Sequence, residues 1–213
     1  MRWIDRLLGD AALGATAAVL MSTAALGTSW ASYQATTWND QQRIKTLEAG
    51  RLRQRAGSAQ IRAQQMRGVD VVLFTSWLDA EMGGRRRLAD IYAARFRPEF
   101  RPAFGAWMAQ DPFGNPEAPP SPFAMPEYRL ELDDEVAITT SRAEVAAVAA
   151  DVASGWQSAY VMNTVIFALA LFFAGTMQGG TRHRVVRGIL LLAAVLACLG
   201  GLLNVLRLPM APH

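Results

Sequence analysis

Residues 159–206, AYVMNTVIFALALFFAGTMQGGTRHRVVRGILLLAAVLACLGGLLNVL, decide what kind of protein this chain makes. Two apolar runs, Tyr160–Met177 and Gly188–Leu206, flank a short basic turn, and neither contains an Asp, Glu, Lys, Arg or His. Each is close to the roughly 20 residues a helix needs to cross a hydrocarbon core of about 30 Å. We therefore expect transmembrane helices over 159–178 and 188–206, joined by a turn at 179–187. Upstream, the run Ala11–Trp30 is also free of charge, so a first span over 11–30 follows a tail of residues 1–10. This first run is rich in Ala, Gly, Ser and Thr, and a cleaved signal peptide is its alternative reading. Asp5 and Asp10 oppose cleavage, because a signal peptide opens on a basic stretch. The fold class expected is an all-α membrane protein with three transmembrane helices and a helical bundle between spans one and two.

Charge sets the orientation. Arg182, Arg184 and Arg187 occupy the turn, and Arg2 and Arg6 the N-terminal tail, so the positive-inside bias places both in the cytoplasm. The three turn arginines would also meet anionic lipid headgroups, each worth about 1 kcal/mol. An odd number of spans then puts residues 31–158 and the tail 207–213 on the extracytoplasmic side. Trp30, Tyr33, Trp156 and Tyr160 would lie at the outer headgroups and Trp3 at the inner. Between residues 32 and 158 the 15 Arg and Lys nearly cancel the 16 Asp and Glu, so no basic stripe for nucleic acid exists.

The long region reads as helices. Residues 39–67 are polar with sparse apolar positions, as expected of a helix leaving the membrane, and the Ala-rich run 141–160 is its natural partner. Ala143, Ala146, Ala147, Ala150 and Ala153 are small enough for close approach. Three shorter amphipathic pieces are expected between them: 70–82, stopped by Gly83-Gly84; 85–97, with Leu88, Ile91, Tyr92 and Phe96 on one face; and 98–110, opened by Pro98 and carrying Phe104, Trp107 and Met108. Residues 111–130, DPFGNPEAPPSPFAMPEYRL, then concentrate six of the ten prolines. Flexible linkers favour Gly and Ser, whereas repeated Pro holds an extended chain at little entropic cost. The segment 111–128 is thus expected to be an ordered strap anchored by Phe113, Phe123, Met125 and Tyr128. Its PEAP and PPSP spacings also match the PxxP pattern read by aromatic grooves.

Candidate chemistry is sparse. The two histidines, His183 and His213, would face opposite compartments, and Cys198 lies in an apolar run, so no Ser/His or Cys/His catalytic pair is expected. Glu131, Asp133, Asp134 and Glu135 offer oxygens for a hard cation, against a solvated helix start favoured by the dipole. Arg85, Arg86 and Arg87 read as an anion-binding run or a solvated turn. Within the spans, Asn163 and Asn204 are positioned to hydrogen-bond across helices two and three, or to be solvated by headgroups. Gly14, Ala18 and Ser22 in the first span, and Ala193, Ala197 and Gly201 in the third, repeat every fourth residue and would let helices touch.

The stretch RFRPEFRPAFGAWMAQDPFGNPEAPPSPFAMPEYRL (95–130), with its FxPxFxxW and PFAMPEY strings, is followed by an Ala-rich helix and TVIFALALFFAG (164–175). Together these resemble a family of small bacterial inner-membrane proteins of unassigned function. The resemblance implies architecture only, with no activity, cofactor or catalytic residue. The leading expectation is a non-enzymatic membrane subunit or scaffold, homo-oligomeric or part of a larger complex, whose extracytoplasmic bundle mediates assembly. The alternative is a homo-oligomeric channel lined by Thr16, Ser22 and Thr23. A third is a ligand-sensing ectodomain served by a separate transducer.

Overall fold

The computed structural model describes residues 2–178 and 184–212, and for residues 2–12 and Arg184 the backbone alone. Its elements are α1 (Arg2–Met82), α2 (Arg86–Ala94), α3 (Arg101–Met108), a 3-10 turn (Pro122–Ala124), α4 (Glu131–Gln178) and α5 (Arg184–Arg207). No strand occurs among the described residues. Two of these helices are long and apolar enough to cross a membrane, α4 and the Val185–Arg207 part of α5. The expected first span, 11–30, begins among residues whose side chains are not described. The middle of the basic turn, with Arg182 and His183, lies outside the described residues, as does His213.

Packing divides the chain into two units, one made of Met1–Leu47 with Ala146–His213, the other of Glu48–Val145. These limits differ from the 30/31 and 158/159 borders that hydropathy suggests. The reason is that α1 and α4 run through both borders without a break, so the change from lipid-type to water-type sequence leaves no seam in the helix packing.

In the first unit, α1 and α4 lie antiparallel, with Gly27 beside Phe167 and Trp38 beside Trp156. Ala17, Ala24 and Ala31 are fully buried at seven-residue intervals, the repeat that keeps one seam of a helix facing its partner. Phe167 fills the space between the helices. A Cβ at Gly27 would come within 2.6 Å of its ring and one at Gly201 within 2.8 Å, so glycine is needed at both. Ala24, Ala170 and Cys198 complete this cluster.

In the second unit the expected short helix over 70–82 is the end of α1 itself, which continues through Gly68. Glycine in a helix costs only about 1 kcal/mol relative to alanine, less than the packing that α1 gains by continuing. Ala49, Ala56, Ala63, Asp70 and Trp77, again seven apart, are all buried. The helix stops where expected. Gly84 takes φ +69°, and Gly84 and Arg85 donate their N–H groups to the carbonyls of Glu81 and Ala80, closing the left-handed cap that glycine adopts without strain.

The next two expected pieces are shorter than their sequence pattern. α2 buries Ala89, while Ile91 is 42% exposed, and Phe96 lies beyond its end. Pro102, not Pro98, occupies the first turn of α3, since residues 97–100 form the turn that precedes it. Arg101 closes the end of α2, donating from Nε to Phe96 O and from Nη2 to Ala94 O.

Candidate functional site

The second unit gathers its aromatic residues around one centre. Phe74 and Trp77 come from α1, Phe96 and Phe100 from the turn after α2, Trp107 from α3, and Phe123, Met125 and Tyr128 from the strap. The rings meet mainly edge to face, as Trp77 and Phe104 at 4.7 Å, Phe74 and Trp107 at 5.3 Å, and Phe123 and Tyr128 at 5.1 Å. Such contacts add about 0.5–1.5 kcal/mol each beyond the area they bury.

A charged clasp closes this core. Asp70 is fully buried, and Arg97 grips it from both sides, Nε to Oδ1 at 2.9 Å and Nη2 to Oδ2 at 2.7 Å. The Tyr128 hydroxyl donates to Oδ2 at 3.1 Å, and Arg97 Nη1 reaches Glu99 at 3.3 Å. One carboxylate thus ties together α1, the α2–α3 turn and the end of the strap. Its hydrogen bonds hold the Arg97 proton more tightly than usual. Burial, and next the neighbouring Asp70 charge, push the Tyr128 phenol from 10.0 up to about 12. Beside the clasp opens a cleft of about 390 Å³, lined by Arg62, Met66, Arg97, Glu99, Leu130 and Glu131 among others.

The strap residues named from sequence fall into two groups. Phe123, Met125 and Tyr128 pack on the aromatic core, whereas Phe113, although its ring lies 6.0 Å from Trp107, stays 51% exposed and anchors little. The prolines contribute through the backbone: Trp107 Nε1 donates to Pro119 O at 2.7 Å. The PxxP run is therefore docked on a tryptophan of its own chain.

The acidic run at the start of α4 does not converge. Asp133 pairs with Arg67 at 2.6 Å and Glu135 with Arg55 at 3.8 Å, and no group of carboxylates able to hold a metal ion forms among the described residues. In the basic run, Arg85 pairs with Asp79 at 2.5 Å, and a shallow hollow of about 570 Å³ lies over Arg85, Arg86, Arg87 and Ile91.

In the first unit the small-residue stripes are in part displaced. Ala18 and Ser22 are exposed and Gly14 is half-buried with open space around it, so 14/18/22 is not the inward face of α1. Ala17, Ala24, Gly27 and Ala31 are. Both stripes are made of small residues, and the register against Phe167 selects between them. On α5, Gly201 is buried, Ala197 packs on the core and Ala193 is half-buried. Thr23, expected to line a pore, turns its hydroxyl onto Val19 O of its own helix at 2.9 Å. Arg187 is half-buried, and the side chain of Arg184 is not described.

The hydrogen bond expected between Asn163 and Asn204 does not form. Asn163 is fully buried with no partner for Oδ1 or Nδ2, while Asn204 is half-buried. One turn along α4, the ring of Phe167 wedged against Gly201 sets the spacing between the helices.

Sequence reasoning passed over Asp70 and Arg97. The available signal was the seven-residue repeat 49, 56, 63, 70, 77, in which one buried position carries an acid. Compared with family models, with curated proteins and with solved structures, the chain shows no significant match.

Proposed function

We propose that this chain is a non-enzymatic integral membrane subunit that crosses a bacterial inner membrane three times, through 11–30, 159–178 and 188–206. Its N-terminus is cytoplasmic, and the helical region between spans one and two is an extracytoplasmic assembly module. The observation that carries the reading is an inverted size distribution along α4 and α5. Most of their buried positions are small, as at Ala170, Ala174, Ala194 and Cys198, with Tyr160, Phe167 and Met177 the large exceptions on α4, while Leu169, Phe172, Ile189, Leu192, Leu196 and Leu203 are 47–62% exposed. Water penalises that arrangement, whereas lipid tails favour it, because close packing of small residues is what associates helices in a bilayer.

Assembly is supported by a second apolar face on α4. Ile138, Val145, Val148 and Val152 are all more than half exposed, on the side away from buried Ala143, Ala146, Ala150 and Ala153. Their spacing of seven, three and four, all four being β-branched, suits a parallel pairing with a second copy of this chain. The charged groups beside the aromatic core support a structural role, since Asp70, Arg97 and Tyr128 engage one another.

Mass measurement of the full chain in nanodiscs tests the reading. We expect a multiple of 23.2 kDa, reduced by a Val145→Asp/Val148→Asp double variant. A lone monomer with no co-purifying partner overturns the assembly role. A cysteine placed at Arg86 that an impermeant reagent reaches only from the cytoplasm overturns the orientation.

A further inference from the structure

The segment after α5 is held by an unusual set of contacts. Helix α5 ends at Arg207, and Leu208 and Ala211 each precede a proline, which biases both toward extended backbone. Pro209 O accepts two hydrogen bonds, from Trp38 Nε1 at 3.3 Å and from the Tyr160 hydroxyl at 3.2 Å. The Ala211 N–H donates to Gln34 Oε1 at 3.0 Å, and Gln41 Nε2 donates to Pro212 O at 3.4 Å. Gln34 and Tyr160 are 2% and 1% exposed, so their polar atoms meet the segment where it covers α1 and α4. Leu208 packs on Ala31, Ala35 and Tyr160, and Ala211 is buried, while Met210 points outward at 72% exposure. Two side chains in, the two prolines and Met210 out, and the backbone read by buried or aromatic donors and acceptors: this is the way an aromatic groove takes a proline-bounded peptide.

We propose that Gln34, Trp38 and Tyr160 form a peptide-reading groove whose occupant is the chain's own Leu208–Pro212, a releasable latch that holds α5 against α1 and α4. The groove recognises an extended segment with a free carbonyl at its first proline and a small residue two positions later. A larger residue at 211 would meet the buried wall. Release of the latch frees α5 at the end nearer Gly201, and the Phe167 core behind it opens.

The single cysteine reports on this directly, because Cys198 is 3% exposed on α5 in that core. Its alkylation by N-ethylmaleimide is followed in the full chain in mild detergent. A Gln34→Ala/Tyr160→Phe double variant removes two of the four latch hydrogen bonds, and we expect about tenfold faster labelling. A chain ending at Arg207 should label at least as fast. Adding the synthetic peptide of residues 207–213 at millimolar concentration should return that shortened chain to the slow rate, and the same peptide carrying Ala211→Asp should not. Unchanged labelling in the double variant overturns the latch, whether or not the shortened chain folds. Fast labelling of the shortened chain that neither peptide slows overturns the groove. Failure of self-assembly would leave each of these rates as expected, since every contact in the latch lies within one copy.

Discussion

Two proline-bearing segments of this protein are held by the same bond and differ in everything around it. In the strap, Trp107 donates to Pro119 O at 2.7 Å; after α5, Trp38 donates to Pro209 O at 3.3 Å. An extended proline segment has no helix or sheet donors beside its carbonyls, and an indole N–H is a donor with an apolar body, so the pairing suits an extended segment that must lie on a packed surface. The strap, however, also sends Phe123, Met125 and Tyr128 into the aromatic core and ends on buried Asp70. The segment 208–212 contributes one leucine and an alanine. Equal backbone recognition therefore produces a piece of the core in one region and a detachable latch in the other. What differs is the apolar volume and charge that accompany it.

The largest test of this contrast is Asp70→Ala. It leaves the Arg97 guanidinium without its carboxylate and the Tyr128 hydroxyl without its acceptor, a loss of about 3–5 kcal/mol. Near-ultraviolet circular dichroism during urea unfolding of the full chain should report the change. A loss below about 1 kcal/mol, within the scatter of ordinary substitutions, would mean that the clasp is incidental to the core.

Next comes the direct pair Phe123→Ala and Leu208→Ala. The first should cost about 2–4 kcal/mol and the second distinctly less, because Phe123 contacts three other rings while Leu208 lies at the edge of its cluster. Equal costs by denaturant titration would erase the distinction between strap and latch.

Gly201→Ala probes what the latch protects. The new methyl would lie about 2.8 Å from the Phe167 ring, and over-packing of this kind costs about 1–3 kcal/mol. Cys198 alkylation should accelerate even with the latch intact. No change would place the rigidity of α5 elsewhere.

The smallest expected effect is on pH. Tyr128 keeps its proton in the folded protein up to about 12, whereas the unfolded chain loses it near 10.0. Between those values the folded state binds more protons, so stability is level below pH 10 and declines as pH rises toward 12. Tyr128→Phe should remove that decline, apart from other tyrosines titrating in the same range. A decline unchanged in the variant would detach Tyr128 from the clasp.

Much of the second unit was legible because its signals are local. Gly84 marks the end of α1, and Phe123, Met125 and Tyr128 stand out among prolines. The clasp was not, since Asp70 and Arg97 are 27 residues apart and either alone reads as a solvated charge. The continuity of α1 was obscured by Gly68, whose local cost is small beside the packing that the unbroken helix keeps. Phe113 looked like an anchor because hydrophobicity does not say which side of a strap a ring occupies.

The sequence by itself determined the helical class, the apolar runs and the placing of an ordered proline segment between helices. Periodicity, charge exclusion and backbone restriction are each properties of consecutive residues. Only the tertiary structure decided which small-residue stripe faces inward, which acids find arginines, and that Leu208–Pro212 folds back onto Gln34, Trp38 and Tyr160. Those outcomes depend on register between helices far apart in the chain. Phe167 illustrates the point: its ring has a place only because Gly27 and Gly201, 174 residues apart (201 − 27), arrive on either side of it.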